Sequence, residues 1–310
     1  MSERPIRFDC AGEPLIGMLH CADGGVPELG VLVIVAGGPQ YRIGGARQLV
    51  LWAREISAQG IPVLRFDFRG MGDSYGDYLG FEDVGDDLRS ALDAFFEAVP
   101  TLKHVVLWGE CNACSAALFY APGDARVKGM VMLNPWVRTE EGQAKTVIKR
   151  YYLQRLKQRS FWLKVLRFQF DLSGSLRSAV EMLRRARGRS ASQGTMASEN
   201  GGGRDDRSPL PVRMLTGLRR FKGEIMLVMS GRDYIAQEFD ELLKSSAEWR
   251  DQLAAHQTVR HDLEFADHTF STADWRNQVS AWGIEWLKAL QGSLGLDSGQ
   301  TDGGSPRKLV

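Results

Sequence analysis

Short apolar runs alternate with amphipathic stretches along most of this chain. Five runs have the length of a buried strand; they are residues 31–36, 61–66, 104–108, 127–133 and 224–229. Five amphipathic stretches predict helices; they are residues 48–58, 84–99, 113–120, 238–249 and 275–290. Because strands alternate with helices, the pattern predicts the α/β class, with a mostly parallel sheet and helices on both faces.

The alternation changes at the start and in the middle of the chain. Residues 6–20 alternate apolar and polar positions, which predicts an antiparallel hairpin at the sheet edge. The stretch 138–218 is predominantly helical without a convincing strand, which predicts a helical cap inserted into the core. We therefore expect a core of residues 1–137 and 219–291, a mobile loop at 190–211 within the cap, and a flexible tail at 292–310.

Composition narrows the functional classes. Hydrophobic residues make up 44% of the chain, enough for a large core, and the net charge of +1 gives no sign of a nucleic-acid partner. The N-terminus lacks the apolar stretch of a signal peptide, and no apolar run approaches the roughly 20 residues of a membrane span. Four cysteines are too few for a disulfide scaffold. We expect a cytoplasmic protein with free thiols.

The segment around Cys111 carries the strongest chemical signal. A predicted strand runs into Gly109-Glu110-Cys111-Asn112-Ala113 and then into a helix of small residues. A tight strand-to-helix turn needs small residues two positions before and after its central residue, as Gly109 and Ala113 are. A cysteine there lies at a helix N-terminus, which favours a thiolate, and the amide of Asn112 points to a developing oxyanion. The pattern predicts that Cys111 is a nucleophile.

Other interpretations of this cysteine stay open. Free cysteines are often buried, so Cys111 could be a core residue only. Cys111 and Cys114 also form a Cys-x-x-Cys pattern after a strand, as in thiol–disulfide proteins. More than 100 residues of strand–helix units precede the pattern, unlike in small thioredoxin-like domains, which favours a packing role for Cys114. A zinc site lacks a second cysteine pair, so we expect neither a metal nor a cofactor.

A cysteine nucleophile needs a base. His268 lies after the last predicted strand and just before the final helix, which makes it the candidate. Of the other histidines, His20 and His104 are expected to be structural. His256 and His261 flank the last predicted strand.

The base needs a carboxylate that orients it. Asp233 follows the apolar run 224–229 and a Ser-Gly turn, which makes it the candidate acid. Asp262 and Asp267 are rivals, although Asp267 adjoins His268 and neighbouring residues rarely orient each other's side chains well.

A glycine turn follows the first central strand. Gly38 is the candidate for the second oxyanion donor, with Gly37 next, because glycine lets the backbone approach a substrate closely. Gly37, Gln40 and Arg42 are candidate substrate-binding residues in the same loop.

With these residues in place, the chain resembles the α/β-hydrolase superfamily along almost its full length outside the cap and the tail. The chain order Cys111, Asp233, His268 is the order of that superfamily. The segment Asp67-Phe-Arg-Gly-Met-Gly-Asp-Ser74 resembles a loop after the fourth strand in esterase-like and lipase-like members. The resemblance implies an eight-stranded α/β-hydrolase sheet and hydrolysis of an ester, thioester or lactone through an acyl-enzyme. An acyltransferase and a non-catalytic binding protein of the same fold remain alternatives.

A narrower resemblance is to the exosortase A system-associated hydrolase 1 family. It is carried by Gly37-Gly-Pro-Gln-Tyr-Arg-Ile-Gly44 and by the cysteine turn. That family occurs in bacterial gene sets for exopolysaccharide production and protein sorting, which implies a pathway of that kind. Cysteine replaces the serine usual in the superfamily, as it does in dienelactone hydrolases, and Ala113 replaces the usual glycine.

The predicted cap has a charge signal of its own. Residues 145–189 contain 13 Lys or Arg against only Asp171 and Glu181, interleaved with aromatic and aliphatic residues. One interpretation is a solvated basic face. The other is contact with an anionic partner, namely a phosphorylated or CoA-linked acyl substrate or the membrane surface.

Overall fold

The computed structural model describes residues 2–21, 25–36, 41–137 and 208–296. The chain divides into two compact units, one made of Met1–Val137 with Ser208–Val310 and the other of Arg138–Arg207. Three sets of sequence predictions concern residues outside the described ranges. They are the oxyanion and substrate-binding residues at positions 37–40, the basic cap segment and the tail beyond residue 296.

The described residues form eight strands and seven α-helices. The strands are β1 (Ser2–Cys10), β2 (Glu13–Cys21), β3 (Leu29–Ile34), β4 (Val63–Phe66), β5 (His104–Glu110), β6 (Val127–Leu133), β7 (Glu224–Ser230) and β8 (Val259–Leu263). The helices are α1 (Gln48–Ser57), α2 (Gly85–Ala98), α3 (Asn112–Tyr120), α4 (Leu210–Arg220), α5 (Tyr234–Ser245), α6 (Ala247–Ala255) and α7 (Ala273–Ser293).

All eight strands belong to one sheet, in the order β1-β2-β4-β3-β5-β6-β7-β8. Strand β2 pairs antiparallel with β1 and β4, and every other neighbouring pair is parallel. The predicted fold class and edge hairpin are therefore confirmed. Because the carboxyl ends of the parallel strands meet at one sheet edge, the loops after β5, β7 and β8 converge there.

The central strands are apolar because both of their faces are covered. Every residue of β3 and β4 is buried. Helix α1 packs against α7, and α3 packs against α2 and α4. Trp52 of α1 contacts Trp108 of β5, with ring centroids 5.7 Å apart. The strand that leads to Cys111 is thus held firmly by the core.

The C-terminal half differs from the sequence prediction in two details. The single helix predicted at 238–249 is two helices, because Ser246 is extended and its side chain accepts a hydrogen bond from the Trp249 N–H, which starts α6. His261 lies within β8 rather than beside it, and its ring stacks on Trp282 with centroids 4.2 Å apart.

The boundary of the core also differs from the prediction. Residues 208–218, which the sequence assigns to the cap, belong to the same compact unit as the sheet. Gly217 of α4 lies so close to the carbonyl of Leu118 in α3 that a side chain would not fit there. The sequence before α4 is rich in Ser, Gly and Pro, so the sequence pattern predicts a loop up to residue 211, whereas the helix begins at Leu210. None of the described helices is long and apolar enough to cross a membrane.

Candidate active site

Cys111 occupies the turn between β5 and α3. Its backbone dihedrals, φ 59° and ψ −126°, are strained for a residue other than glycine. The Cys111 N–H donates to the Leu133 carbonyl at 2.9 Å, and the Cys111 carbonyl accepts from the Trp136 N–H at 3.2 Å. Asn112, the predicted oxyanion donor, is the first residue of α3. Strand β6 and the residues after it therefore hold the turn in its strained form.

The residues that flank this turn are small because the backbone doubles back on itself. A Cβ atom at Gly109 would lie 2.9 Å from the carbonyl carbon of Ala113 and 3.1 Å from the backbone nitrogen of Cys114. Both are backbone atoms, so neither can rotate away. This close approach is the physical reason for the Gly-x-Cys-x-Ala pattern.

Gly109→Ala is expected to destabilise the fold by about 1–3 kcal/mol, the usual cost of overpacking a tight core. Urea unfolding followed by circular dichroism measures the change. Gly85→Ala is the matched control, because Gly85 begins α2 and a Cβ atom there would contact nothing within 4 Å. Equal stability of the two variants would contradict the close approach.

His268 and Asp233 are hydrogen-bonded to each other, with His268 Nδ1 2.7 Å from Asp233 Oδ2. Asp233 caps α5: its Oδ1 accepts from the Ile235 N–H at 3.1 Å and its Oδ2 from the Ala236 N–H at 3.2 Å. A carboxylate at a helix N-terminus is stabilised by these donors and by the helix dipole. Asp233 is therefore fixed as an acceptor for the imidazole.

The surroundings of His268 favour its charged form. Burial works against the charge, but hydrogen bonds with Asp233 and Cys111 and the negative charges of Asp233 and Glu110 outweigh it and raise the pKa of His268 from 6.5 to about 10. Because Nδ1 is bonded to Asp233, Nε2 is the atom left for Cys111. The raised pKa therefore makes the ring a strong proton acceptor.

The rival acids make other contacts. Asp267 accepts hydrogen bonds from the backbone N–H of Ser271, at 3.0 Å, and from the Ser271 hydroxyl. Asp262 pairs with Arg260 at 2.6 Å. Of the candidate acids, Asp233 is the one whose carboxylate bonds the ring of His268.

The other histidines are occupied elsewhere in the fold. His20 accepts a hydrogen bond from Arg65 Nε at 3.0 Å, and burial together with the nearby positive charge of Arg65 lowers its pKa to about 4. His256 lies between the carbonyls of Gly223 and Leu218, at 2.9 and 2.8 Å. His104 begins β5.

Cys114 faces the protein interior. Its thiol lies 3.3 Å from the Gly109 carbonyl and 3.5 Å from the Leu133 carbonyl, and burial raises its pKa well above 9. All four cysteines are free thiols. A buried thiol with a raised pKa is a poor partner for thiol–disulfide exchange, so the geometry disfavours the redox interpretation.

Asn134 and Ser230, which the sequence analysis missed, hold the loop that carries His268. The Asn134 side chain donates to the His268 carbonyl at 2.8 Å and to Ser230 Oγ at 2.9 Å, and it accepts from the Ser230 N–H at 2.8 Å. Ser230 Oγ in turn donates to the Asp267 carbonyl at 2.8 Å. Each residue lies at the carboxyl end of a buried strand, a position that could have revealed them.

Asn134→Ala is expected to cost about 1–3 kcal/mol of stability, because it leaves the buried Ser230 N–H without its acceptor. The His268 loop loses a support at the same time, so turnover should fall as well. Thermal unfolding and esterase assays measure both effects. Asn277→Ala, at an exposed position of α7, is the control; a loss as large there would contradict the role of Asn134.

Arg42, predicted to bind substrate, anchors the loop after β3 to the end of β4. Its N–H donates to Asp67 Oδ1 at 2.7 Å, its guanidinium pairs with Asp67 and with Asp73, and its carbonyl accepts from Arg65 at 2.5 Å. Ser74 Oγ donates to the Asp67 carbonyl at 2.7 Å. The Asp-x-Arg-Gly-x-Gly-x-Ser segment thus fastens Arg42 to the end of β4.

Among the residues with described positions, no group of three or more His, Cys, Asp or Glu side chains could hold a metal ion.

Comparison with known proteins places the chain in a family. The sequence pattern of the serine aminopeptidase S33 family, a group of hydrolases, matches residues 30–193, more than half of the chain. The chain belongs to this family. Being an S33-family protein with this sheet, it is an enzyme of the α/β-hydrolase type. The family is named for serine, whereas this S33-family protein has Cys111 at the strained turn after β5.

Solved structures show the same fold at low sequence identity. An esterase from Pyrococcus furiosus is 16% identical with a TM-score of 0.60, covering 94% of this chain and 91% of its own. The esterase domain of a Rhodothermus marinus protein is 19% identical with a TM-score of 0.54, at coverages of 93% and 99%. A lidless α/β serine hydrolase from Xanthomonas campestris is 15% identical with a TM-score of 0.54, at coverages of 92% and 95%. No curated protein matches the sequence.

Proposed function

We propose that this S33-family protein hydrolyses an ester, thioester or lactone, with Cys111 as nucleophile, His268 as proton carrier and Asp233 as its orienting carboxylate. The observation that carries the proposal is a cysteine in a strained turn beside a histidine whose Nδ1 is bonded to a buried aspartate. A thiol, an imidazole and a carboxylate in this order are the parts of nucleophilic acyl transfer.

His268, whose raised pKa makes it a strong proton acceptor, takes the proton of Cys111 and forms a thiolate–imidazolium pair. The thiolate attacks the carbonyl carbon, and the amides of Gly38 and Asn112 stabilise the oxyanion, worth about 2.7–4 kcal/mol per donor. The leaving alcohol or thiol takes the imidazolium proton as its bond to the carbonyl carbon breaks. Water then gives a proton to His268 and attacks the thioester, which releases the acid and restores the thiolate–imidazolium pair.

The test is acyl-enzyme capture. The protein is mixed with p-nitrophenyl esters of short and long chain, with acyl thioesters and with lactones, and intact mass spectrometry follows the protein. We expect one acyl group per chain, located on Cys111 by peptide mapping and lost in Cys111→Ala. An added alcohol or amine that takes the acyl group in place of water would identify an acyltransferase.

Two results would contradict the proposal. An acyl group that stays in Cys111→Ala would mean a different nucleophile. No adduct and no turnover with any substrate would favour the non-catalytic binding protein.

The resemblance of residues 37–44 and of the cysteine turn supports a biological setting as part of the proposal: a cytoplasmic enzyme of an exopolysaccharide and exosortase-associated pathway. Loss of the polymer in a strain without active enzyme, restored by the wild-type chain but not by Cys111→Ala, is the expected result.

The positive charge of residues 145–189 supports an anionic partner, either an acyl substrate with a phosphate or CoA group or the membrane surface. Cosedimentation with vesicles that contain anionic lipid, at low and high salt, separates the two. Binding lost at high salt favours the surface, and no binding at low salt removes it.

A further inference from the structure

Glu110 is a buried carboxyl group that the proposed chemistry does not use. It ends β5 directly before Cys111, and it is only 8% exposed. Its Oε2 accepts a hydrogen bond from Gln48 Nε2 at 2.6 Å, while its Oε1 finds no hydrogen-bond partner within the described part of the chain. Burying a carboxylate with a single neutral donor is costly, so packing alone does not account for a glutamate at this position.

The side chain that holds Glu110 lies near the loop that carries His268. Gln48 is the first residue of α1 and is almost fully buried. A Cβ atom built on Gly45 would lie 3.2 Å from Gln48 Oε1 and 3.6 Å from Thr269 Cγ2, so the Gln48 side chain and the residue after His268 both lie beside Gly45. The Gln48–Glu110 pair therefore borders both Cys111 and the segment that carries His268.

Charged groups from several elements interact with the Glu110 carboxyl. They are His268 and Asp267 of the segment before α7 and Asp233 at the start of α5. The Cys114 thiol of α3 interacts with it too, and Cys111 is the next residue in the chain. The neutral amide of Gln48, in α1, donates a hydrogen bond to the same carboxyl group.

These surroundings place the ionisation of Glu110 in the neutral range. Burial raises the pKa of Glu110 from 4.5 to about 7; the positive charge of His268 and the Gln48 hydrogen bond oppose the rise, and the charges of Asp233 and Asp267 add to it. The interaction is mutual, since the negative charge of Glu110 also raises the pKa of His268.

We propose that Glu110, held by Gln48, is a positioning residue that tunes how strongly His268 holds its proton: its carboxylate form stabilises the imidazolium more than its neutral form does. The inference rests on the proposed function, because it assigns Glu110 a role toward the Cys111–His268 pair. Asp233 acts on the imidazole through a direct hydrogen bond, whereas Glu110 acts through space. The site thus has one carboxylate that fixes the ring and a second that responds to pH.

The experiment is an NMR titration of the histidine rings in full-length protein labelled at histidine, with His268 identified by its loss in His268→Gln. We expect the wild-type His268 signal to show an inflection near pH 7, which reports Glu110, before its own titration at higher pH. In Glu110→Gln, which keeps size and hydrogen bonding, the inflection should disappear and the His268 titration should move to lower pH.

A second variant moves the inflection the other way. Gln48→Leu removes the hydrogen bond that lowers the pKa of Glu110, so the inflection should shift above pH 7. Glu55→Gln, on the same helix α1, is the control and should leave both features unchanged. Gln48→Leu also tests the interaction between Glu110 and His268. It therefore serves as the test if Glu110→Gln does not fold.

Two results would overturn the inference: a wild-type His268 signal without the inflection, or one whose titration is the same in Glu110→Gln. Failure of the proposed function looks different, because alkylation of Cys111 by iodoacetamide would then be equally fast in wild type and in His268→Gln. A coupled histidine beside an unreactive Cys111 would support the link between Glu110 and His268 and would contradict the proposed function alone.

Discussion

Cys111→Ala is expected to lower kcat/KM for an activated ester by about 10⁴-fold or more, because catalysis by a nucleophile, its base and its orienting acid collapses when the nucleophile is removed. The residual rate would come from binding and from the oxyanion donors alone. The measurement is steady-state hydrolysis of a p-nitrophenyl ester that acylates the wild-type protein. The folded state of the variant is checked by its unfolding midpoint in urea.

Cys114→Ser is the matched control three residues further along α3. A serine hydroxyl can donate to the same Gly109 carbonyl that the Cys114 thiol faces, so the turn should keep its geometry. Turnover is expected to stay within a few-fold of wild type, with a loss of stability of about 1 kcal/mol. Activity lost equally in both variants would contradict a single nucleophile and restore the thiol–disulfide interpretation.

The sheet could be predicted because its central strands are buried on both faces. Such strands are continuous apolar runs, and β3 to β7 lie within one or two residues of those runs. The hairpin β1–β2 could be predicted for the opposite reason, since it has one covered face and therefore alternates. Where neither pattern is strong, as at Ser246 between α5 and α6, a single capping side chain decides the local structure.

Sequence order gave candidates for the site, but not the contacts between them. Cys111, Asp233 and His268 could each be placed at a strand end, because these positions follow from the alternation of elements. The roles of Asn134 and Ser230 depend on which strand ends are neighbours in the sheet, and β6 and β7 are joined across about 90 intervening residues. Glu110 is a polar residue at the end of a buried strand, and hydrophobic periodicity does not explain it. Its proposed role depends on its interaction with His268, which is distant in the sequence.

Asp233→Asn is expected to lower kcat/KM by about 10⁴-fold, the loss typical when the orienting carboxylate of such a triad becomes an amide. Asp233 uses one oxygen for the Ile235 N–H and the other for both the Ala236 N–H and His268 Nδ1. The asparagine side chain has only one oxygen, which accepts the N-cap hydrogen bonds of α5. Its NH₂ group therefore faces Nδ1 of His268. The imidazole then carries its hydrogen on Nε2 and cannot accept a proton from Cys111.

The Asp233→Asn variant should also lower the pKa of His268, because the hydrogen bond and charge of Asp233 help to raise it. A histidine titration and an ester assay on the same sample test both effects together. Asp267→Asn is the matched control, since Asp267 bonds Ser271 rather than the imidazole. We expect Asp267→Asn to keep most of the activity. If it instead loses as much as Asp233→Asn, the two carboxylates share the task, and the N-cap geometry of Asp233 is not what orients the base.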